Sequence, residues 1–247
     1  MYIYPVLQLS EGCCVSLSYE EQDTPTVWHG DPVEKACAFV EQGADRLHVT
    51  DIDALRGTGD NAGLIERIIR EAGAMVQVSG GIRGTEQVNH WIDIGAARVV
   101  IGTNAVRFPD WTRALARQHP DQIIVSVDVW GGKVMIDGWT DAAMFGPVEL
   151  AHAYAEAPLA AMIVTDIDRH LEYPDASFAL TTRFADATHL PVIASGVVRT
   201  LDDISTLRYL PNIEGVMIGR SLHERNVDLA EALEVALAPY EPVARFT

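Results

Sequence analysis

The chain has 247 residues, of which 48% are hydrophobic, and it carries a formal net charge of −17 with a pI near 4.7. A chain of this length can bury one large core or two small ones. Its acidic balance excludes a general surface for nucleic acid or for anionic membranes, because both need clustered Lys and Arg. Any anionic ligand must therefore be held locally.

The N-terminal residues lack the basic and long apolar segments of a signal peptide, and no stretch reaches the roughly 18 apolar residues of a membrane helix. The cysteines Cys13, Cys14 and Cys37 have neither metal-ligand spacing nor the arrangement of a disulfide framework. We therefore expect a soluble, cytoplasmic protein with reduced thiols and no metal site. We also expect a monomer.

Short β-branched or apolar runs alternate with amphipathic stretches along the whole chain. The predicted strands span residues 3–9, 46–51, 75–79, 98–101, 122–129, 161–166, 191–195 and 215–218. The predicted helices span residues 32–42, 61–72, 86–94, 111–118, 147–155, 177–187, 201–209 and 229–238. This pattern predicts an α/β fold, a (βα)8 TIM barrel that forms one domain over residues 1–247. An open doubly wound sheet is the alternative, but such sheets more often have fewer strands at this length.

The two halves of the chain resemble each other at a nearly constant offset. The segment VTDID occurs at 49–53 and again at 164–168. VSGGIR at 78–83 pairs with ASGVVR at 194–199, and VIGT at 100–103 pairs with MIGR at 217–220. Three pairs in the same order predict a two-fold internal repeat of half-barrels, about residues 1–120 and 121–247.

In each half, one predicted strand ends in Ser-Gly and the next ends in Ile-Gly. Glycine lets the backbone approach an anion closely, and its N–H can donate directly to phosphate. The alternative is that these glycines only form tight turns between strands and loops. We expect two phosphate sites, and therefore a bisphosphorylated sugar as the ligand. The first site comprises Gly80, Gly81, Arg83, Gly102 and Thr103, and the second comprises Ser195, Gly196, Gly219 and Arg220.

Several longer motifs carry a family resemblance over nearly the whole chain. They are DPVE at 31–34, EQGADRLHVTDID at 41–53, SGGIR at 79–83, VDV at 127–129, GW at 138–139 and TDI at 165–167. On these motifs the chain resembles the isomerase family of histidine biosynthesis that acts on ProFAR, phosphoribosylformimino aminoimidazole carboxamide ribotide. The family includes bifunctional relatives that also process phosphoribosyl anthranilate. The resemblance implies an Amadori rearrangement, in which an aminoaldose phosphate becomes an aminoketose phosphate without a cofactor or metal. Such a reaction needs a general acid and a general base.

The resemblance also implies roles for individual residues. Asp128 is the expected acid or base, Thr165 lies beside it at the end of the next strand, and Trp139 is expected to stack on the substrate base. Gln8 and His170 occupy the positions of two catalytic aspartates of the family. An amide cannot serve as a base near neutral pH, whereas imidazole titrates there.

Two further positions depart from the family pattern: Ser16 stands where many relatives carry a substrate-binding arginine, and Val197 replaces the last glycine of the second Ser-Gly-Gly. Three functions therefore stay open at this point. The first is the family's isomerisation, and the second is different chemistry on a related phosphosugar, with Asp128 and His170 as the acid–base pair. The third is phosphosugar binding without catalysis, in which Asp128 only braces loops and Trp139 only covers a hairpin.

Overall fold

The computed structural model of the chain describes residues 1–17, 24–168 and 174–238, which form twelve strands and eleven helices. The strands are β1 (Tyr2–Ser10), β2 (Cys13–Ser16), β3 (Thr26–Trp28), β4 (Arg46–Asp51), β5 (Met75–Ser79), β6 (Arg98–Ile101), β7 (Ile123–Trp130), β8 (Lys133–Ile136), β9 (Asp141–Ala142), β10 (Ala161–Asp166), β11 (Val192–Ser195) and β12 (Ile213–Ile218). The helices are α1 (Pro32–Glu41), α2 (Ile52–Arg56), α3 (Ala62–Glu71), α4 (Thr85–Ile94), α5 (Thr103–Arg107), α6 (Pro109–Gln118), α7 (Pro147–Ala153), α8 (Pro174–Asp186), α9 (Leu201–Arg208), α10 (Arg220–His223) and α11 (Leu229–Leu237).

Eight parallel strands form a closed barrel in the order β1, β4, β5, β6, β7, β10, β11, β12. Closure is made by the pairing of β12 with β1, and β7 is paired with both β6 and β10. The predicted TIM barrel is thus confirmed and the open sheet is excluded. Each barrel strand agrees with its predicted range to within two residues at either end.

Four short strands and three short helices lie outside the predicted pattern. Strand β2 pairs antiparallel with β1, and β3 pairs antiparallel with β2. In the same way, β8 pairs with β7, and β9 pairs with β8. Helices α2, α5 and α10 follow directly after barrel strands and have only four or five residues each. Elements this short do not contain enough residues to show a hydrophobic period.

The two faces of the barrel strands pack in different ways. Outward side chains join the surrounding helices in one large apolar cluster, whereas inward side chains form a second cluster inside the barrel. The inner cluster comprises Tyr4, Val6, Val100, Ile124, Ala160, Ala161, Ile163, Ile193 and Met217. This alternation follows from the two-residue period of a strand, and it fills the barrel interior instead of leaving a pore.

Local signals fix several helix ends. Asp31 precedes α1 and accepts a hydrogen bond from the Val33 N–H at 2.8 Å, while Pro32 occupies the first helical position. Asp228 caps α11 in the same way, accepting from the Glu231 N–H at 3.1 Å. Such caps satisfy backbone donors that a helix leaves unpaired. In the described part of the chain, no helix is long and apolar enough to cross a membrane.

Candidate functional site

The carboxyl ends of the barrel strands bring three of the predicted catalytic residues, Gln8, Asp128 and Thr165, to one face, which we call the top face. In the ladder Thr165 lies opposite Asp128 on one side and Ser195 on the other. On the other side of the barrel, Thr50 lies between Gln8 and Ser79 in the same way. The inner rim of the top face is therefore polar, although the layer beneath it is apolar.

Asp128 is the carboxylate that projects from the barrel interior into this face. Burial raises the pKa of Asp128, and hydrogen bonds from Trp139, Thr165 and Ser126 oppose that rise in part. The indole Nε1–H of Trp139 donates to Asp128 Oδ2 at 2.7 Å. A carboxyl with a raised pKa can hold a proton and release it closer to neutral pH, which is what an acid–base residue requires.

Trp139 reaches Asp128 from the turn between β8 and β9. The backbone of this turn is left-handed at three successive residues, Asp137, Gly138 and Trp139, with φ of 53°, 63° and 71°. A bulky residue rarely adopts a positive φ, and such conformations persist where the surroundings hold them in place. The expected position of Trp139 over a substrate base stays a prediction, but its contact with Asp128 is direct.

Three contacts hold this turn against the neighbouring loops. The Asp137 N–H donates to Thr103 Oγ1 at 2.9 Å, and the Arg107 guanidinium donates to the Asp137 carboxylate. At Gly138, an added Cβ would lie 3.0 Å from Leu55 Cδ2, so the turn also packs against α2. The hydroxyl of Thr103 thus positions the Trp139 turn, which is a role that the sequence did not indicate.

The loop after β5 contains the first pair of predicted phosphate glycines. Gly80 and Gly81 have φ of 97° and 67°, and an added Cβ would lie 2.2 Å from Asp51 O at Gly80 and 2.7 Å from the Ala54 backbone at Gly81. Close packing therefore requires glycine at both positions, whether or not phosphate binds. The guanidinium of Arg83 donates to Ala54 O at 3.1 Å and to Leu55 O at 2.9 Å, which ties this loop to α2.

The two Ile-Gly turns have nearly the same backbone conformation. Gly102 has φ −96° and ψ −103°, and Gly219 has φ −111° and ψ −90°. Neither is capped by a side chain, and no atom lies within 4 Å of an added Cβ at Gly102. Backbone N–H groups at such turns can donate to phosphate oxygens.

The second Ser-Gly turn differs from the first because a valine instead of a second glycine follows its glycine. Gly196 has φ 75° and follows Ser195, which is half-buried at the end of β11. Val197 is fully buried in the outer apolar cluster, so this departure from the family pattern packs a side chain into the core. Arg220 is half-buried and begins α10 directly after Gly219.

The remaining departures from the family have structural partners where the chain is described. Gln8 Oε1 accepts from the Leu17 N–H at 3.0 Å, which joins the end of β1 to the residue after β2. Ser16 is buried, and its Oγ accepts from Trp28 Nε1 at 2.8 Å. His170 lies outside the described residues. In those that are described, no group of three or more His, Cys, Asp and Glu side chains is arranged to hold a metal ion.

Strand-end carboxylates that face outward organise the loops around the site. Asp51 accepts from the Ala54 N–H at 3.0 Å and the Asn61 N–H at 2.7 Å. Asp166 accepts from the Asp168 N–H at 3.1 Å and from the Ser177 hydroxyl at 3.0 Å. Through these contacts, both aspartates orient the loops that follow their strands.

The strand order places the two glycine loop pairs on opposite sides of the top face, after β5 and β6 and after β11 and β12. The fold and site therefore define a (βα)8 barrel whose candidate site combines a half-buried carboxylate with two glycine-built loop pairs. The chain belongs to the family described as "Histidine biosynthesis protein", whose model matches residues 2–228.

Curated relatives resemble the chain along its full length. It is 47% identical over 246 residues to a protein of Ruegeria pomeroyi and 47% identical over 246 residues to one of Ruegeria sp., with all of both chains covered in each case. It is also 41% identical over 240 residues to a protein of Thioalkalivibrio sulfidiphilus, covering 96% of this chain and 99% of that one. All three are named as isomerases of an imidazole-4-carboxamide that carries a phosphoribosyl and a phosphoribosylamino group.

Proposed function

We propose that this protein is the ProFAR isomerase of histidine biosynthesis, an enzyme that converts a bisphosphorylated aminoaldose into the corresponding aminoketose. The observation that carries the proposal is Asp128, a carboxyl with a raised pKa at the top face, between two glycine loop pairs on opposite sides of the barrel. The names of the relatives support the substrate class, since each contains two phosphoribosyl groups. The two phosphates of such a substrate match in number the two glycine loop pairs on opposite sides of the top face.

The reaction needs proton transfers at neighbouring atoms. Opening the ribose ring requires a proton on the ring oxygen, and formation of the enolamine requires removal of the proton from C2. The same proton count is restored when C1 is protonated and the C2 hydroxyl becomes a carbonyl. We assign these transfers to Asp128, because a half-buried carboxyl with a raised pKa can both give and accept a proton closer to neutral pH.

Two neighbours of Asp128 adjust its protonation. The indole of Trp139 and the hydroxyl of Thr165 both donate to the carboxylate and stabilise its ionised form. When a proton moves onto Asp128, the 2.7 Å indole contact weakens, which favours returning that proton to the substrate. Trp139 therefore has a part in the chemistry in addition to any stacking on the substrate.

We assign the phosphates to backbone N–H groups in the turns at Gly80–Gly81 and Gly102 and in the turns at Gly196 and Gly219. This arrangement accommodates an anionic ligand on a chain with a net charge of −17, because capture by backbone groups needs few basic side chains. Arg83 supports the first loop instead of facing the ligand, since its guanidinium is bonded to the carbonyls of α2.

We also propose that the protein acts in the cytoplasm as a monomer and needs no metal or cofactor. A chelator should leave the turnover rate unchanged, and sedimentation should give the mass of one 27.0 kDa chain. Loss of activity with the chelator, or sedimentation as a dimer, would refute the respective part.

The test of the function is turnover of ProFAR by the purified protein, followed through the absorbance change of the ketose product. Asp128→Asn should still bind ProFAR but convert it about 10²–10⁴ times more slowly, because it lacks the acid–base group. Ser126→Ala, which removes only a neighbouring hydroxyl, is the matched control and should lose much less. Binding by the wild type without conversion would refute the isomerase and leave a phosphosugar-binding protein.

A further inference from the structure

A chain of buried polar side chains runs through the barrel interior from its lower end to the top face. Gln77 on β5 and His48 on β4 are only 2% and 3% exposed, and they face inward between apolar neighbours. Gln77 Nε2 lies 2.8 Å from His48 Nδ1. His48 Nε2 lies 2.9 Å from Thr50 Oγ1 and 3.0 Å from Ser79 Oγ, both at the rim of the top face.

The lower end of this chain meets a cavity of about 180 Å³ lined by two arginines, Arg46 and Arg98. Within the described residues, Gln77 Oε1 and Arg46 Nε have no hydrogen-bond partner, and both residues line the cavity. Arg98 is bonded to Glu214 at 3.2 Å, which offsets its charge. The ion-pair partner of Arg46 is Asp45, which is 3.7 Å away and 67% exposed, so solvent screens it.

The cationic cavity determines which way the Gln77 amide faces. The amide has two orientations of the same shape, one with its oxygen toward the cavity and one with its NH₂ group there. An NH₂ group facing Arg46 would set donor against donor in a buried site, whereas the oxygen is attracted to the guanidinium. Asp121 also lines the cavity, but it is exposed to solvent. The NH₂ group of Gln77 therefore faces His48 and donates to its Nδ1.

The orientation of Gln77 in turn fixes the tautomer of His48. Burial lowers the pKa of His48 to about 3, so the ring is neutral and carries one N–H. Because Nδ1 accepts from Gln77, the proton must be on Nε2. His48 then donates upward to Thr50 or Ser79, and the Ser79 hydroxyl donates to Thr50 Oγ1 at 2.8 Å. Thr50 is the last acceptor of the chain, which leaves its own hydroxyl hydrogen available.

We propose that Thr50 is a substrate-positioning residue, a committed hydrogen-bond donor to a phosphoribosyl oxygen, and that Arg46 sets this direction through Gln77 and His48. Thr50 suits the role because it is half-buried on the inner rim and lies beside Ser79, which leads directly into the Gly80 turn. The identity of the ligand rests on the proposed function, whereas the direction of the hydrogen-bond chain does not.

The donor-to-acceptor direction of this hydrogen-bond chain is tested by long-range ¹H–¹⁵N correlation spectra of the histidine side chains in the full-length protein. Wild type should show His48 as a single neutral Nε2–H tautomer. Arg46→Met, which removes the cation but keeps an unbranched side chain, should show a mixture of tautomers or Nδ1–H. Tyr4→Phe is the control, because it removes the hydroxyl that Arg98 contacts at 3.3 Å in the same cavity. An Nδ1–H tautomer in wild type, or no change in Arg46→Met, overturns the proposal.

The donor role is tested by kinetics. Thr50→Val keeps the shape but removes the hydroxyl, and it should raise KM for ProFAR about tenfold while kcat changes by less than about twofold. Thr50→Ser should restore most of the affinity. Thr112→Val, which removes a buried hydroxyl of α6 that donates to Phe108 O, should leave KM unchanged. An unchanged KM in Thr50→Val overturns the donor role.

The two levels of failure are distinguishable. If wild type neither binds nor converts ProFAR, the proposed function and the ligand contact of Thr50 fail together. The histidine spectra would still decide the donor-to-acceptor direction of the hydrogen bonds from Arg46 to Thr50, because they require no substrate.

Discussion

Replacing Gly80 with alanine would place a methyl group where the structure has no space for one. The new Cβ would lie 2.2 Å from Asp51 O, a backbone atom that cannot move without disturbing the end of β4 and the start of α2. In addition, the position has φ 97°, which residues with a side chain rarely adopt. Gly80→Ala should therefore destabilise the barrel at its top face.

The expected decrease in the free energy of unfolding is the sum of two separate contributions. The positive φ costs an alanine about 1–2 kcal/mol. Forcing a methyl group into a fully packed site costs about 1–3 kcal/mol more, because the neighbouring backbone must shift. For a domain of this size, roughly 2–5 kcal/mol lowers Tm by about 5–20 °C. Calorimetry or thermal unfolding followed by circular dichroism measures this change directly.

Gly63 provides a matched control in the same type of substitution. It lies exposed in α3, and no atom is within 4 Å of an added Cβ. Gly63→Ala should therefore stabilise the protein by about 0.5–1 kcal/mol, since alanine loses less backbone entropy in a helix. A Tm for Gly80→Ala within about 2 °C of wild type would show that the loop after β5 is not packed as described.

Three further predictions concern titration. Asp128→Asn should be more stable than wild type at neutral pH and lose this advantage in acid, because burial raises the pKa of Asp128 and disfavours its charged form; equal Tm values at all pH would contradict this. Trp139→Phe should move the acid limb of kcat/KM to higher pH, since the ionised Asp128 loses its 2.7 Å donor; an unmoved limb would contradict that contact. His48 has its pKa lowered to about 3 by burial, so the stability it contributes above its ordinary pKa of 6.5 should be lost as pH falls toward 3, and His48→Gln should reduce this loss. An unaltered acid unfolding curve in His48→Gln would argue against a buried neutral ring.

The barrel could be predicted from the sequence because its strands are apolar runs of four to nine residues separated by amphipathic helices of seven or more. The predicted strand 46–51 has the same bounds as β4, and the predicted strand 98–101 has the same bounds as β6. A hairpin at Trp139 was expected, but its strands β8 and β9 were not predicted. These strands contain few residues, and although Asp137-Gly138 is a typical turn dipeptide, the turn also needs a positive φ at Trp139, which a bulky residue rarely adopts.

The candidate site could be predicted in part. The spacing of Asp128 and Thr165 at strand ends places them at one face, and the structure has them in register. The contact between Trp139 and Asp128 needed the fold, because it depends on how a turn bends back over the barrel. The sequence could not show that Val197 points into the outer core, since the direction of a loop residue depends on the elements packed around it.

The inner polar chain did leave a signal in the sequence. His48 and Thr50 alternate with apolar residues on one predicted strand, and Gln77 and Ser79 do so on the next. A two-residue period puts each pair on one face of its strand, and neighbouring parallel strands bring the pairs together. The direction of the hydrogen bonds could not be predicted, because it depends on Arg46 at the far end of the chain.

The top face is proposed to catalyse an aldose–ketose rearrangement, and the product of the reaction tests this activity most directly. Purified protein is incubated with ProFAR in D₂O, and the sugar carbons are examined by ¹³C NMR. We predict that a C2 carbonyl appears and that C1 gains a hydrogen, with deuterium found there to the extent that Asp128 exchanges its proton with solvent. An unchanged aldose after prolonged incubation with the folded wild-type protein, or a product altered at other carbons, would contradict the proposed isomerase activity.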